Sequence, residues 1–245
     1  MPNRLLCFGI YLVVLFAGQK LIAAQQSTSE SRSGNVAARQ VENVRIKAQG
    51  VDKLFTDISL SYNIPIALEI AAHDEQLTTY ELSLRSGTIA DLLDRFTKQH
   101  KEYAWEMEDG VVNIFPRDDY RDFSLDELLK VQISKFSVAE NTSCWKLVDS
   151  LMKTVEVQNV LKTYGITPSG LNFSGGFFPQ IGRRVAFDVS DMTLKEILNK
   201  VIKESTIAKI WLIKKYSSDQ TVLILVNSRN EDLPPKKFSI SRAFK

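Results

Sequence analysis

From Val41 onward, apolar positions fall into short periodic runs divided by turn residues. Val44-Arg45-Ile46-Lys47-Ala48 alternates apolar and polar, the period of a strand with one face buried. Beyond Gly50, the residues Val51, Leu54, Phe55, Ile58 and Leu60 recur at helical spacing. Asn63 closes that helix, and Pro65 forbids its continuation because proline has no N–H to donate. Ile64 to Leu68 then reads as an extended apolar run. Tyr80, Leu82 and Leu84 alternate with Glu81, Ser83 and Arg85, a one-faced strand that ends in a turn at Ser86-Gly87-Thr88. Thr88 is placed to cap a helix in which Ile89, Leu92, Leu93 and Phe96 share one face, with Asp91, Arg95 and Lys98 opposite. Asp91 complements the positive end of the helix dipole, and Lys98 and Lys101 the negative end. Tyr103–Met107 and Val111–Phe115 follow as strands joined by Asp109-Gly110, a dipeptide suited to a tight hairpin, and Pro116 stops the second.

The same order returns further on. Val185 to Ser190 matches the strand around Leu82, and Thr193 to Val201 matches Thr88 to Phe96 at an offset of 105. Trp145, Leu147, Val148, Leu151 and Met152 reproduce the first helix, Leu147 matching Leu54 at an offset of 93. Ile207–Lys214 and Thr221–Val226 supply a second hairpin around Ser217-Ser218-Asp219. The two offsets differ by 12, so the second copy carries an insertion, expected within 164–184. Internal similarity of this kind sets the domain count. The pattern predicts an α+β fold of two tandem βαβ-type modules, each with small sheets packed on two helices. Modules are expected over 41–117 and 131–228, with a linker over 118–130 and polar segments at 25–40 and 229–245 that bury too little apolar surface to order.

Each copy reads strand, helix, strand, strand, helix, strand, strand. With Leu82 to Leu93, Tyr103-Ala104-Trp105 and Val111 to Phe115 in the first copy, and Phe187 to Leu198 and Thr221 to Val226 in the second, the chain resembles the short N-terminal domain of secretins and TonB-dependent receptors. The resemblance implies a periplasmic module that docks another envelope protein or assembles with copies of itself. Neither a secretin channel nor a complete transport receptor is expected, because no pore or barrel region follows the second copy; a free-standing adaptor is. The family supplies no site residues to carry over, and these motifs are packing and turn positions.

Composition fits that expectation. Hydrophobic residues make up 44% and charged residues 24% of the 245, the mix of a globular protein. Arg4 and Lys20 lie in an N-terminal segment with an apolar run from Leu5 to Gly18, too short for a bilayer span and fitting a signal peptide over 1–24. Removing those two from 31 basic residues leaves 29 against 29 acidic, so the mature chain is near neutral and nucleic acid is not an expected partner. Export to the periplasm follows, with an uncleaved inner-membrane anchor as the alternative. Cys7 sits in the apolar run, leaving Cys144 as the single thiol of the mature chain, expected to be a small buried hydrophobe.

No constellation for chemistry emerges. His73 and His100 lack partners at metal-ligand spacing, Ser174-Gly175-Gly176 lacks the lysine of a phosphate loop, and Asp118 to Asp122 lacks the glycine and distal Glu of a calcium loop. The expectation is a non-enzymatic protein without cofactor, metal or small-molecule group, whose partner is an envelope protein or a second copy. The candidate recognition residues are Tyr164, Phe173, Phe177, Phe178, Arg183 and Arg184, set among Pro168, Gly170, Gly175, Gly176 and Pro179 with no period that buries them. The alternative is that these aromatics fold back on the module's own core.

Overall fold

The computed structural model describes residues 35–71, 78–142, 144–168, 185–205, 208–216 and 221–228. The export segment, the turn at Ser217-Ser218-Asp219 and the tail lie outside the described residues. The first repeat runs β1 (Gln40–Gln49), α1 (Val51–Tyr62), β2 (Ile66–Glu69), β3 (Thr79–Thr88), α2 (Ile89–Gln99), β4 (Tyr103–Glu108) and β5 (Val111–Pro116). A connecting helix, α3 (Phe123–Lys130), leads to the second: β6 (Gln132–Thr142), α4 (Cys144–Met152), α5 (Val155–Thr163), β7 (Thr167–Pro168), β8 (Val185–Thr193), α6 (Leu194–Glu204), β9 (Ala208–Tyr216) and β10 (Thr221–Ser228). The fold is α+β, and the repeat is one of topology as well as sequence. β1 pairs antiparallel with β3 as β6 does with β8. β5 pairs antiparallel with β4 and parallel with β2, and β10 pairs the same way with β9 and β7.

Local chemistry sets the ends of these elements. Thr88 and Thr193 each accept from the backbone N–H three residues on, while Asp91 and Glu196 reach back to the capping residue's own N–H, so both helices begin with a full capping box. Asn63 ends α1 in the left-handed region, φ 50°. Asp109 and Gly110 turn the first hairpin with φ of 51° and 81°, the conformation a two-residue turn of this kind requires.

The halves are joined through their sheets. β2 lies parallel to β9, with Ile66 opposite Ile210 and Glu69 opposite Ile213, giving one six-stranded sheet in the order β4-β5-β2-β9-β10-β7. The Ile70 N–H donates to the Ile213 carbonyl at 3.0 Å. The Ser59 hydroxyl lies 2.8 Å from the Ile64 carbonyl and 2.9 Å from the Lys209 carbonyl, positioned to donate to either. Lateral order is kept across the join while strand direction reverses. That relation is a half-turn about an axis crossing the strands, so it sends the second repeat's helices to the opposite face.

Alternation along the central strands therefore serves two cores. Ile66, Leu68, Val112, Ile114, Ile210 and Leu212 face α1 and α2, with the β1-β3 ribbon beyond. Ala67, Val111, Trp211 and Ile213 face the core built by α3 to α6, with the β6-β8 ribbon beyond. The result is five layers: ribbon, helices, shared sheet, helices, ribbon. A buried polar chain crosses the join, in which Trp211 Nε1 donates to Asn199 Oδ1 (2.8 Å), Asn199 Nδ2 to Asn113 Oδ1 (3.0 Å), and Asn113 Nδ2 to the Val111 carbonyl (3.4 Å).

Three expectations need correction. The lead expected over 25–40 ends earlier: Val36–Ala38 form a 3-10 turn with Ala37 buried, and β1 starts at Gln40 because it pairs with β3 as far as Thr88. The segment 118–130, expected as a linker, is exposed at 118–120 but carries α3, whose Leu125, Leu128 and Leu129 are core residues. The extra length of the second copy is not held only within 164–184. Three residues (63–65) separate α1 from β2, whereas fourteen (153–166) separate α4 from β7, and α5 occupies nine of those.

Candidate functional site

Of the six candidate recognition residues, Tyr164 is described; Phe173, Phe177, Phe178, Arg183 and Arg184 lie outside the described residues. Tyr164 follows α5, its N–H donating to the Val160 carbonyl at 3.0 Å, and its side chain packs half-buried against the second core. Its ring stands edge-on to Phe123, centroids 6.0 Å apart at 78°. Phe123 opens α3 and is 66% exposed, and Tyr120, three residues earlier, is 43% exposed. The start of α3 is firmly set. Asp122 accepts from the Ser124 N–H (2.9 Å) and the Leu125 N–H (3.2 Å), and Lys215 of β9 pairs with its other oxygen at 2.9 Å. Burial works to raise the Asp122 pKa, but hydrogen bonds from Ser124, Lys215 and Leu125 together hold it below the usual carboxylate range.

A second feature lies between the repeats. On the sheet face away from α1 and α2, Glu69, Phe115 and Glu106 project from β2, β5 and β4 toward α3 and the start of α6. They line a cleft of about 270 Å³, closed on the other side by Arg121, Asp126 and Lys195 among others. Arg121 lies 3.4 Å from Glu69 and 3.3 Å from Asp126, and Lys195 lies 3.5 Å from Glu106. Glu69 is 5% exposed, and burial pushes its pKa up against the opposing pull of Arg121 and Lys195.

Comparison with family models, with curated proteins and with solved structures gives no match. The remaining candidates for chemistry are placed as follows. His100 packs between Tyr80 and Phe96, ring centroids 4.7 and 4.9 Å away, with Nδ1 3.4 Å from Glu102. His73 and the side chain of Cys144 lie outside what is described. Among the described residues, no group of three or more His, Cys, Asp or Glu is arranged to hold a metal ion, and no helix is long and apolar enough to cross a membrane.

Sequence reasoning missed Phe123 and the cleft. The signal for Phe123 was available: a large apolar residue directly after a capping Asp, outside the Leu125-Leu128-Leu129 stripe. The cleft had none, because its walls come from residues as far apart as Glu69 and Lys195.

Proposed function

We propose that the chain is a non-catalytic binding module of a bacterial cell envelope, exported to the periplasm, which docks an envelope protein through the surface around Phe123 and Tyr164. The observation that carries this reading is the exposed Phe123 ring standing on Tyr164 at the rim of the second core. Single exposed apolar residues are ordinary, but here Tyr120 and Phe123 fall within four residues, and Phe123 meets a third aromatic, Tyr164, at the end of α5. Aromatic anchors on rigid elements lose little conformational entropy on binding and dominate interface energetics. α3 is such an element, being buried through three leucines and fixed by the Asp122 cap. The family resemblance supports the class of partner, and the candidate segment 164–184 begins at Tyr164 itself.

The test is a photo-reactive amino acid placed at Phe123 and, as control, at the exposed ribbon residue Lys47, with irradiation of intact cells. A discrete adduct of defined mass from position 123 and none from position 47 is expected. No adduct at 123, or the same smear from both positions, overturns the reading.

A further inference from the structure

Phe115 forms the floor of the inter-repeat cleft, and the charges around it are ordered by sign. Two cations lie over its ring: the Arg121 guanidinium 5.1 Å and the Lys195 ammonium 5.7 Å from the centroid. Two carboxylates flank it on the neighbouring strands, Glu69 from β2 and Glu106 from β4. These groups are loosely paired with one another. The ion pairs of Arg121 and Lys195 span 3.3–3.5 Å, beyond the ~2.7–2.9 Å of a charge-assisted hydrogen bond, whereas Lys130 is hydrogen-bonded to Asp126. The Arg121 Nε is buried with no hydrogen-bond partner among the described residues. A buried polar atom left unmatched costs about 1–3 kcal/mol, and folded proteins keep few of them. The same cleft thus holds one donor without an acceptor, Arg121 Nε, and a buried carboxylate that burial disfavours in its charged form.

Counted by formal charge, Arg121, Lys130 and Lys195 balance Glu69, Glu106 and Asp126, so the lining is neutral overall and strongly dipolar. Such a lining selects against a dianion or a dication and favours a molecule that carries both signs. We propose that the cleft binds a small zwitterion of amino-acid size, its carboxylate received over Phe115 by Arg121 and Lys195 and its ammonium group by Glu69 and Glu106. A volume of about 270 Å³ suits a ligand of that size and is small for a nucleotide or an oligosaccharide. The inference does not rest on the docking surface proposed at Phe123, since Tyr120, Phe123 and Tyr164 do not line the cleft.

Isothermal titration calorimetry on the full chain tests it, using L-alanine, L-serine and L-leucine beside L-alaninamide, which lacks the carboxylate, and N-acetyl-L-alanine, which lacks the ammonium. The free amino acids should bind, and both blocked derivatives should bind at least about tenfold more weakly. Glu69→Gln and Lys195→Met should each weaken the free amino acids by about tenfold or more, with near-ultraviolet circular dichroism unchanged. Absence of binding by every free amino acid up to about 10 mM overturns the proposal, as does equal binding of the blocked derivatives. The comparison of ligands on the unaltered chain decides the matter even if a variant misfolds.

Discussion

A carboxylate held almost out of water, as Glu69 is, carries a raised pKa because burial penalises its charge more than Arg121 and Lys195 relieve it, with Asp126 and Glu106 adding repulsion. The consequence for stability has a definite sign. Between the ordinary value of 4.5 and the higher folded value, the folded chain binds more protons than the unfolded one, so Glu69 contributes a stability that is lost as pH rises through that window. Asp122 and Glu156 act oppositely: hydrogen bonds lower their pKa values, and their contribution is lost on acidification. A pH series on the unaltered chain mixes the two effects, whereas the difference against Glu69→Gln isolates the first. That variant should match the parent below about pH 4.5 and exceed it in melting temperature as pH rises toward neutrality. A difference that does not vary with pH, or a variant less stable at neutral pH, contradicts the assignment. None of this was legible in the sequence. Glu69 closes an apolar run that reads as a strand, and its neighbours Arg121 and Lys195 are distant along the chain. Asn113 and Asn199 are in the same position, since their hydrogen bond spans 86 residues.

Elements whose cause is local were readable. The two capping boxes, the Asn63 stop and the Asp109-Gly110 turn each lie within a few residues of the structure they set, which is why the elements of the first repeat, and α4, β8, α6, β9 and β10 of the second, could be written from the pattern. α3 and α5 could not. α3 has only eight residues, and its apolar set of Leu125, Leu128 and Leu129 follows a charged stretch that reads as a solvated connection. α5 buries Val157 and Leu161 but leaves Val155 67% exposed, so its periodic face is thin. Because α3 packs its leucines against α6 and α5, cleavage inside it requires opening part of the second core. Limited tryptic digestion should therefore spare Lys130, at the end of α3, and also Arg121, whose side chain is held by Glu69 and Asp126. Early cleavage at either residue would restore the view of 118–130 as a linker between separable modules.

Across the whole molecule, the repeats use a strand-to-strand join once, inside the chain, and the outer edge of β4 is not built to repeat it. On β9, the face that α1 covers carries Ile210 and Leu212. The corresponding face of β4, turned away from its own helix, carries Ala104, Glu106 and Glu108, and charge there discourages a further strand from docking. Sheet extension through β4 into a polymer is thus disfavoured. The docking surface proposed at Phe123 sits on a body whose two halves share one sheet. The most direct measurement is the size of the assembly released by mild detergent from intact cells, read on a native gel for the parent and for Phe123→Ser, beside the melting temperature of each purified chain. The parent should migrate in a larger complex and the variant as the chain alone. Their melting temperatures should agree within about 2 °C, because a ring two-thirds in water contributes little to the fold. The same complex in both, or the chain alone in both, would contradict the account.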